Sequence, residues 1–132
     1  MNRDYLEKLL ELLEYLKEQH FKIAIATSSS LKNTMNHLNE VGILSYFDVI
    51  VTGDLVKKAK PDPEIYLTAS QKLVIEPQEC YALEDSYHGL KAAYYAGMKA
   101  ILIPDIKSPS EETLKIAYKK LDNLLEVIEL LN

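Results

Sequence analysis

Residues 81–90, YALEDSYHGL, close a short apolar run with two adjacent carboxylates, Glu84 and Asp85, just where a helical stretch begins. Neighbouring side chains of a strand point to opposite faces. Two adjoining negative charges repel, so a strand that ends this way needs a reason. The run 79–84 (ECYALE) reads as a strand, and residues 86–96 read as a helix ended by Gly97. Strand, acidic turn and helix form the unit from which the rest of the chain is read.

Upstream, residues 21–27 (FKIAIAT) are β-rich and too short for a helix, and they run into a hydroxyl cluster, Thr27, Ser28, Ser29 and Ser30. Such residues favour helix starts, and a helix follows over 31–40, closed by Gly42. Residues 47–53 (FDVIVTG) give a second strand, and KPDP at 60–63 gives a turn whose Pro63 suits the first turn of a helix running to about Leu73. Downstream, KAILIP at 99–104 is a fourth strand; a Ser/Pro loop at 108–110 and two further helical stretches finish the chain. The Leu-rich tail over 121–131 reads as a packed helix. At the N-terminus, Leu6, Leu9, Leu10, Leu13 and Leu16 recur at helical spacing over 4–19, with Asp4 and Glu7 as a capping pair. No internal repeat or low-complexity segment interrupts the pattern.

Short continuous apolar strands alternating with helices indicate an α/β fold with a parallel sheet covered on both faces. Its crossovers are right-handed, and ligands bind beyond the carboxyl ends of the strands. That rule selects Thr27, Ser28, Glu84 and Asp85.

The 132 residues suit a single domain with a core of its own. The apolar fraction of 48% and the charged fraction of 27% read as globular. A net charge of -5, with fifteen scattered Lys and Arg, argues against nucleic acid and against an anionic membrane surface. The single cysteine, Cys80, excludes a disulfide within the chain and reads as a small buried hydrophobe. No apolar run approaches membrane-spanning length, and the N-terminus is amphipathic and acidic rather than signal-like. The expected location is the cytoplasm.

Each candidate residue has two readings. Thr27 and Ser28 lie where free backbone N–H groups and the helix dipole favour an anion, but a plain helix cap has the same sequence. Lys60 precedes a rigid turn that would hold its backbone while the ammonium reaches a cleft; many lysines are simply solvated. Glu84 and Asp85 could share Mg²⁺, which is commonly held by one or two carboxylates with water and phosphate oxygens. Alternatively, Asp85 or Ser86 merely caps the next helix. His20, His37 and His88 lack metal-ligand spacing, although His88 lies one helical turn from the acids. Tyr94 and Tyr95 cannot both face the core, so one is expected at the surface.

The order of these features, strand-Thr-Ser, Lys-Pro-Asp-Pro, then strand-Glu-Asp-Ser, resembles the haloacid dehalogenase (HAD) superfamily of phosphatases and phosphomutases. IAIATSSS (23–30) is similar to its second motif, AKPDPEIYL (59–67) to its third and ALEDSYHGLKAAYYAGM (82–98) to its fourth. The wording is closest to the β-phosphoglucomutase-like branch. The resemblance implies a Rossmann-like sheet, a small phosphorylated metabolite as substrate, and Mg²⁺. It assigns phosphoryl binding to Thr27 and the Ser28 backbone, charge balance to Lys60, and the metal to Asp85 with Glu84.

The family's first motif, a strand ending in Asp-x-Asp, has no counterpart among these 132 residues, nor has the helical cap that follows it. The chain therefore resembles the C-terminal part of such an enzyme, lacking the strand that lies between those ending at Thr27 and Glu84. The resemblance thus implies a rearranged sheet, a homodimer that buries the two edges, or an N-terminal segment that completes the sheet. Because the family's nucleophile is absent, the chain by itself is expected to be inactive. The alternative is a non-catalytic scaffold that keeps the phosphate and Mg²⁺ groups. A two-component receiver domain fits poorly, because there the acid pair comes early and the lysine last.

Overall fold

The structure, a computed structural model, describes residues 2–103 and 109–132. The expected loop at 108–110 lies partly outside these residues, as does Pro104 at the end of the fourth expected strand.

Helix α1 (Arg3–Glu18) starts differently from the sequence expectation. Asn2, not the pair Asp4 and Glu7, is the cap: its Oδ1 accepts from the N–H groups of Asp4 and Tyr5. Asp4 already lies inside the helix, where its carboxylate meets Lys8 at 3.0 Å, one turn on. Strand β1 (Ala24–Thr27) follows, then α2 (Leu31–Val41), whose N-cap is Ser30 and whose C-cap is Gly42. Gly42 ends that helix at φ +76°, a left-handed conformation that glycine adopts without a Cβ penalty. The remaining elements are β2 (Val49–Thr52), α3 (Glu64–Leu73), β3 (Tyr81–Glu84), α4 (Tyr87–Tyr95), β4 (Lys99–Leu102), α5 (Glu111–Ile116), β5 (Lys119–Lys120) and α6 (Leu125–Leu131). The two-residue β5 is too short to leave a periodic signal, and the sequence reading missed it.

All strand pairs are parallel: β1 with β2, β3 with β4, and β4 with β5. This is the expected α/β architecture, with one interruption. Strands β1 and β3 do not pair, so the strands form a two-stranded and a three-stranded sheet. The sheet has not rearranged to close the gap.

Helices α3 and α4 cover one face, where Val51, Ile65, Leu90 and Leu102 share a buried cluster with Ala82 and Ala100. On the other face Leu13 of α1 and Leu38 of α2 pack with Ile23 and Ile43. Helix α6 docks on α1 through Leu12, Leu124 and Val127. The Leu-rich tail is thus a packed helix. Tyr94 and Tyr95 are both exposed, at 46% and 60%. They stack edge-to-face on one another, which is how two neighbours off the core share a helix surface. Cys80 is half-buried; burial and the neighbouring Glu79 push its thiol pKa up.

Ladder alternation fixes what faces the gap. Ile23 O accepts from Asp48 N–H beside β2, so along β1 it is the backbone of Ala24 and Ala26 that turns away from β2. Cys80 O and Glu84 O accept from Lys99 and Ile103 beside β4, so along β3 it is Tyr81 and Leu83 that turn away from β4. Between these edges lies an apolar slot of about 400 Å³, lined by residues of both strands and roofed and floored by α1 and α3.

Candidate functional site

Beyond the carboxyl ends of β1 and β3 the slot opens into a cleft of about 840 Å³, and Ala26 and Leu83 line both. Thr27, Lys60, Glu84 and Asp85 all line this cleft, so residues up to 58 positions apart in sequence meet at one mouth. Ser28 does not line it; it lies past the end of β1, and its carbonyl sits against Gly53. Thr27 Oγ1 accepts from Ser29 N–H at 3.2 Å, which orients the hydroxyl at the strand end.

Lys60 is the centre of the geometry. Its Nζ is 2.7 Å from Glu84 Oε2 and donates to Ala26 O at 3.1 Å, so it spans from β3 to β1 across the gap. The two side chains are only 14% and 9% exposed, and in such a place a lone charge would be costly. Tyr66, which the sequence reading did not single out, supports both partners. Its hydroxyl donates to the same Glu84 oxygen, and its ring centroid lies 5.2 Å from Lys60 Nζ. Burial, then the charge of Glu84 and its hydrogen bond, push the Tyr66 pKa well above 10.0, so the hydroxyl stays protonated as a donor. The signal available in sequence was the spacing in KPDPEIY, which puts Tyr66 on the first turn of α3, with its ring beneath the lysine ammonium.

Gly89 in α4 explains how Glu84 reaches this position. A Cβ at Gly89 would fall on the Glu84 carboxylate, so only glycine leaves room for it there. Gly53 does the same for the loop after β1: a Cβ there would collide with the Ser28 backbone carbonyl. Asp54 is a second residue the sequence reading missed. Its carboxylate accepts from Thr52 Oγ1 and from Leu31 N–H, at 3.2 Å to each oxygen, at the start of α2. The Thr52 hydroxyl, more than the Leu31 N–H, holds the Asp54 pKa below the ordinary carboxylate value.

Asp85 is exposed and has no ion-pair partner among the described residues. Ser86 takes the capping role: its hydroxyl accepts from Gly89 N–H at 3.2 Å and leaves the Asp85 carboxylate uncommitted. No group of three or more His, Cys, Asp and Glu among the described residues could hold a metal ion. Of the two carboxylates singled out in the sequence for Mg²⁺, Glu84 is engaged by Lys60 and Tyr66, and Asp85 is uncommitted. His88 is exposed and does not line the cleft; its ring lies 6.0 Å from that of Tyr87. No helix among the described residues is long and apolar enough to cross a membrane.

The haloacid dehalogenase-like hydrolase family profile matches residues 2–103. The phosphorylated carbohydrates phosphatase of Thermotoga maritima is 42% identical over 91 residues, covering 69% of this chain and 42% of its own. The beta-phosphoglucomutase of Bacillus subtilis is 39% identical over 98 residues, covering 74% of this chain and 42% of its own. Among solved structures, CbbY from Rhodobacter sphaeroides in complex with phosphate superposes with a TM-score of 0.82 at 35% identity, over 91% of this chain and 54% of that one. The chain thus spans about half the length of the curated relatives it matches. With that profile matched over residues 2–103, the chain belongs to the haloacid dehalogenase-like hydrolase family.

Proposed function

We propose that this chain forms the phosphate- and Mg²⁺-binding part of a phosphoryl-transfer site for a small phosphorylated metabolite. The observation that carries the reading is the convergence of Thr27, Lys60, Glu84 and Asp85 on one cleft at the strands' carboxyl ends. Thr27 Oγ1 and the Ser28 N–H donate to phosphoryl oxygens. The Lys60 ammonium, held in place by Glu84 and Tyr66, lowers the cost of bringing that negative charge into the cleft. Asp85 supplies the carboxylate with open coordination. Glu84 stands beside it with its charge shared with Lys60, and the cation it helps to hold would polarise a phosphoryl oxygen. The relatives named as phosphatases and a phosphoglucomutase support this class of chemistry.

Turnover needs a nucleophile as well as a binding cradle. In the cleft, Glu84 is engaged with Lys60 and Tyr66, and Asp85 is the carboxylate assigned to the cation, so neither is left to attack phosphorus. The 132-residue chain by itself therefore binds inorganic phosphate in the presence of Mg²⁺ without hydrolysing phosphate esters. Calorimetric titration with phosphate and Mg²⁺, beside an assay with p-nitrophenyl phosphate, tests this. Binding without turnover is the expected result. Robust Mg²⁺-dependent hydrolysis of p-nitrophenyl phosphate by the 132-residue chain would overturn it.

A further inference from the structure

Building on the phosphate reading of Thr27 and Ser28, we propose that Gly53 and Asp54 are positioning residues for phosphate. From the carboxyl end of β2 they hold the loop 27–31 in its binding shape without touching the ligand. Thr27 and Thr52 end β1 and β2 and pair with each other in register. Beyond that pair the two chain segments stay fastened at Ser28, Ser29 and Leu31. Gly53 N–H donates to Ser29 O at 2.9 Å. Gly53 also lies so near the Ser28 carbonyl that a Cβ would fall 2.3 Å from its oxygen. The Asp54 carboxylate accepts from Leu31 N–H at 3.2 Å, and the hydroxyl of buried Thr52 donates to it in turn. Within the loop, Ser29 N–H donates to Thr27 Oγ1 at 3.2 Å. Ser29 therefore couples the two sides: Gly53 fixes its carbonyl, and its N–H orients the hydroxyl that meets phosphate.

The charge of Asp54 separates this role from two simpler ones. Helix α2 already has its N-cap, because Ser30 Oγ accepts from Asn33 N–H at 3.2 Å, so Asp54 is not needed to start it. Nor does the carboxylate favour phosphate directly. Fastened to the loop, it adds negative charge on the side from which an anion binds, and like charges repel. It also takes up a backbone N–H at the positive end of the α2 dipole, where an anion would otherwise gain. What Asp54 supplies is geometry. A donor fixed before the ligand arrives need not be ordered on binding, and that ordering would otherwise be subtracted from affinity. Charge and geometry therefore act on phosphate with opposite signs, and a substitution can tell them apart.

The test is a ¹⁵N chemical-shift titration with inorganic phosphate at fixed Mg²⁺ for the full chain and for Asp54→Ala, Asp54→Asn and Gly53→Ala. Urea denaturation of each gives its folded fraction, so that affinities are compared between folded chains. Asp54→Ala should bind phosphate about tenfold more weakly, although losing a negative charge would by itself tighten binding. Asp54→Asn loses the same charge but keeps an oxygen to accept from Leu31 N–H, so it should bind within about threefold of the parent. Gly53→Ala should shift the Ser28 and Ser29 amides before phosphate is added and then bind about tenfold more weakly. Where Gly53→Ala does not fold, the two Asp54 variants decide. Tighter or unchanged binding by Asp54→Ala, or an Asp54→Asn chain as weak as Asp54→Ala, overturns the proposal. A parent that shows no saturable shifts overturns the phosphate reading, and the positioning role with it; a parent that binds beside variants that bind alike overturns the positioning role alone.

Discussion

Lys60 and Glu84 form an ion pair of 2.7 Å that joins the loop before α3 to the carboxyl end of β3, and the same ammonium reaches Ala26 O of β1. Two halves of an interrupted sheet are therefore held in register at their functional end by one side chain. The pair is nearly buried, so removing one partner leaves the other charge uncompensated.

Lys60→Met should destabilise the chain by about 3 kcal/mol, because Glu84 then remains charged and buried without its partner. The double variant Lys60→Met, Glu84→Gln should recover most of that loss. Urea denaturation of the two single variants and the double variant measures the coupling directly. Additive effects in that cycle would show that the pair contributes nothing beyond its separate members.

Tyr66→Phe keeps the ring beneath the ammonium and removes only the hydroxyl that donates to Glu84. A hydrogen bond to a charged group contributes about 1.5–3 kcal/mol, so thermal unfolding should shift down accordingly. An unchanged midpoint would mean that Glu84 is satisfied without the tyrosine.

In a helix interior Gly→Ala ordinarily stabilises, by up to about 1 kcal/mol. At Gly89 it should not, because the new Cβ takes the space of the Glu84 carboxylate and pushes it off Lys60. Gly89→Ala should therefore be no more stable than the parent in urea, and its effect should vanish when Glu84→Gln is already present. A gain in stability from Gly89→Ala alone would show that Glu84 does not depend on that space.

Asp54 gives the fold a pH dependence at the start of α2. Its folded pKa is depressed, first by the Thr52 hydroxyl and then by the Leu31 N–H. The folded chain thus binds this proton less readily than the unfolded one. The stabilisation is present above the unfolded pKa and disappears as pH falls through the folded pKa. Urea midpoints measured from neutral pH down into the acid range should show an acid limb that Asp54→Asn flattens. Parallel limbs for the two proteins would contradict this.

The fold was readable because its signals are repetitive. Apolar runs such as IAIAT and YALE, each followed by a hydroxyl and a helix, specify parallel strands without any tertiary information. The ends of elements were less readable. Phe21 looks like strand but is 39% exposed and lies outside β1, and Asn2 rather than Asp4 caps α1. At the site, sequence marked Thr27, Lys60, Glu84 and Asp85 because each lies at the carboxyl end of a strand or just before a rigid turn. It could not show that Glu84 turns toward Lys60, since that depends on the space at Gly89 and on Tyr66 arriving from α3. Asp54 was silent for the same reason: its partner Leu31 is 23 residues away, brought close only by the pairing of β1 with β2.

The most direct test of the central claim is a ¹⁵N chemical-shift titration of the full chain with inorganic phosphate in the presence of Mg²⁺. The expected result is saturable shifts at the Thr27, Ser28 and Asp85 amides, weakened about tenfold by Thr27→Val and abolished by Asp85→Asn when Mg²⁺ is the limiting component. Shifts centred elsewhere, or phosphate binding unaffected by either substitution, would contradict the account.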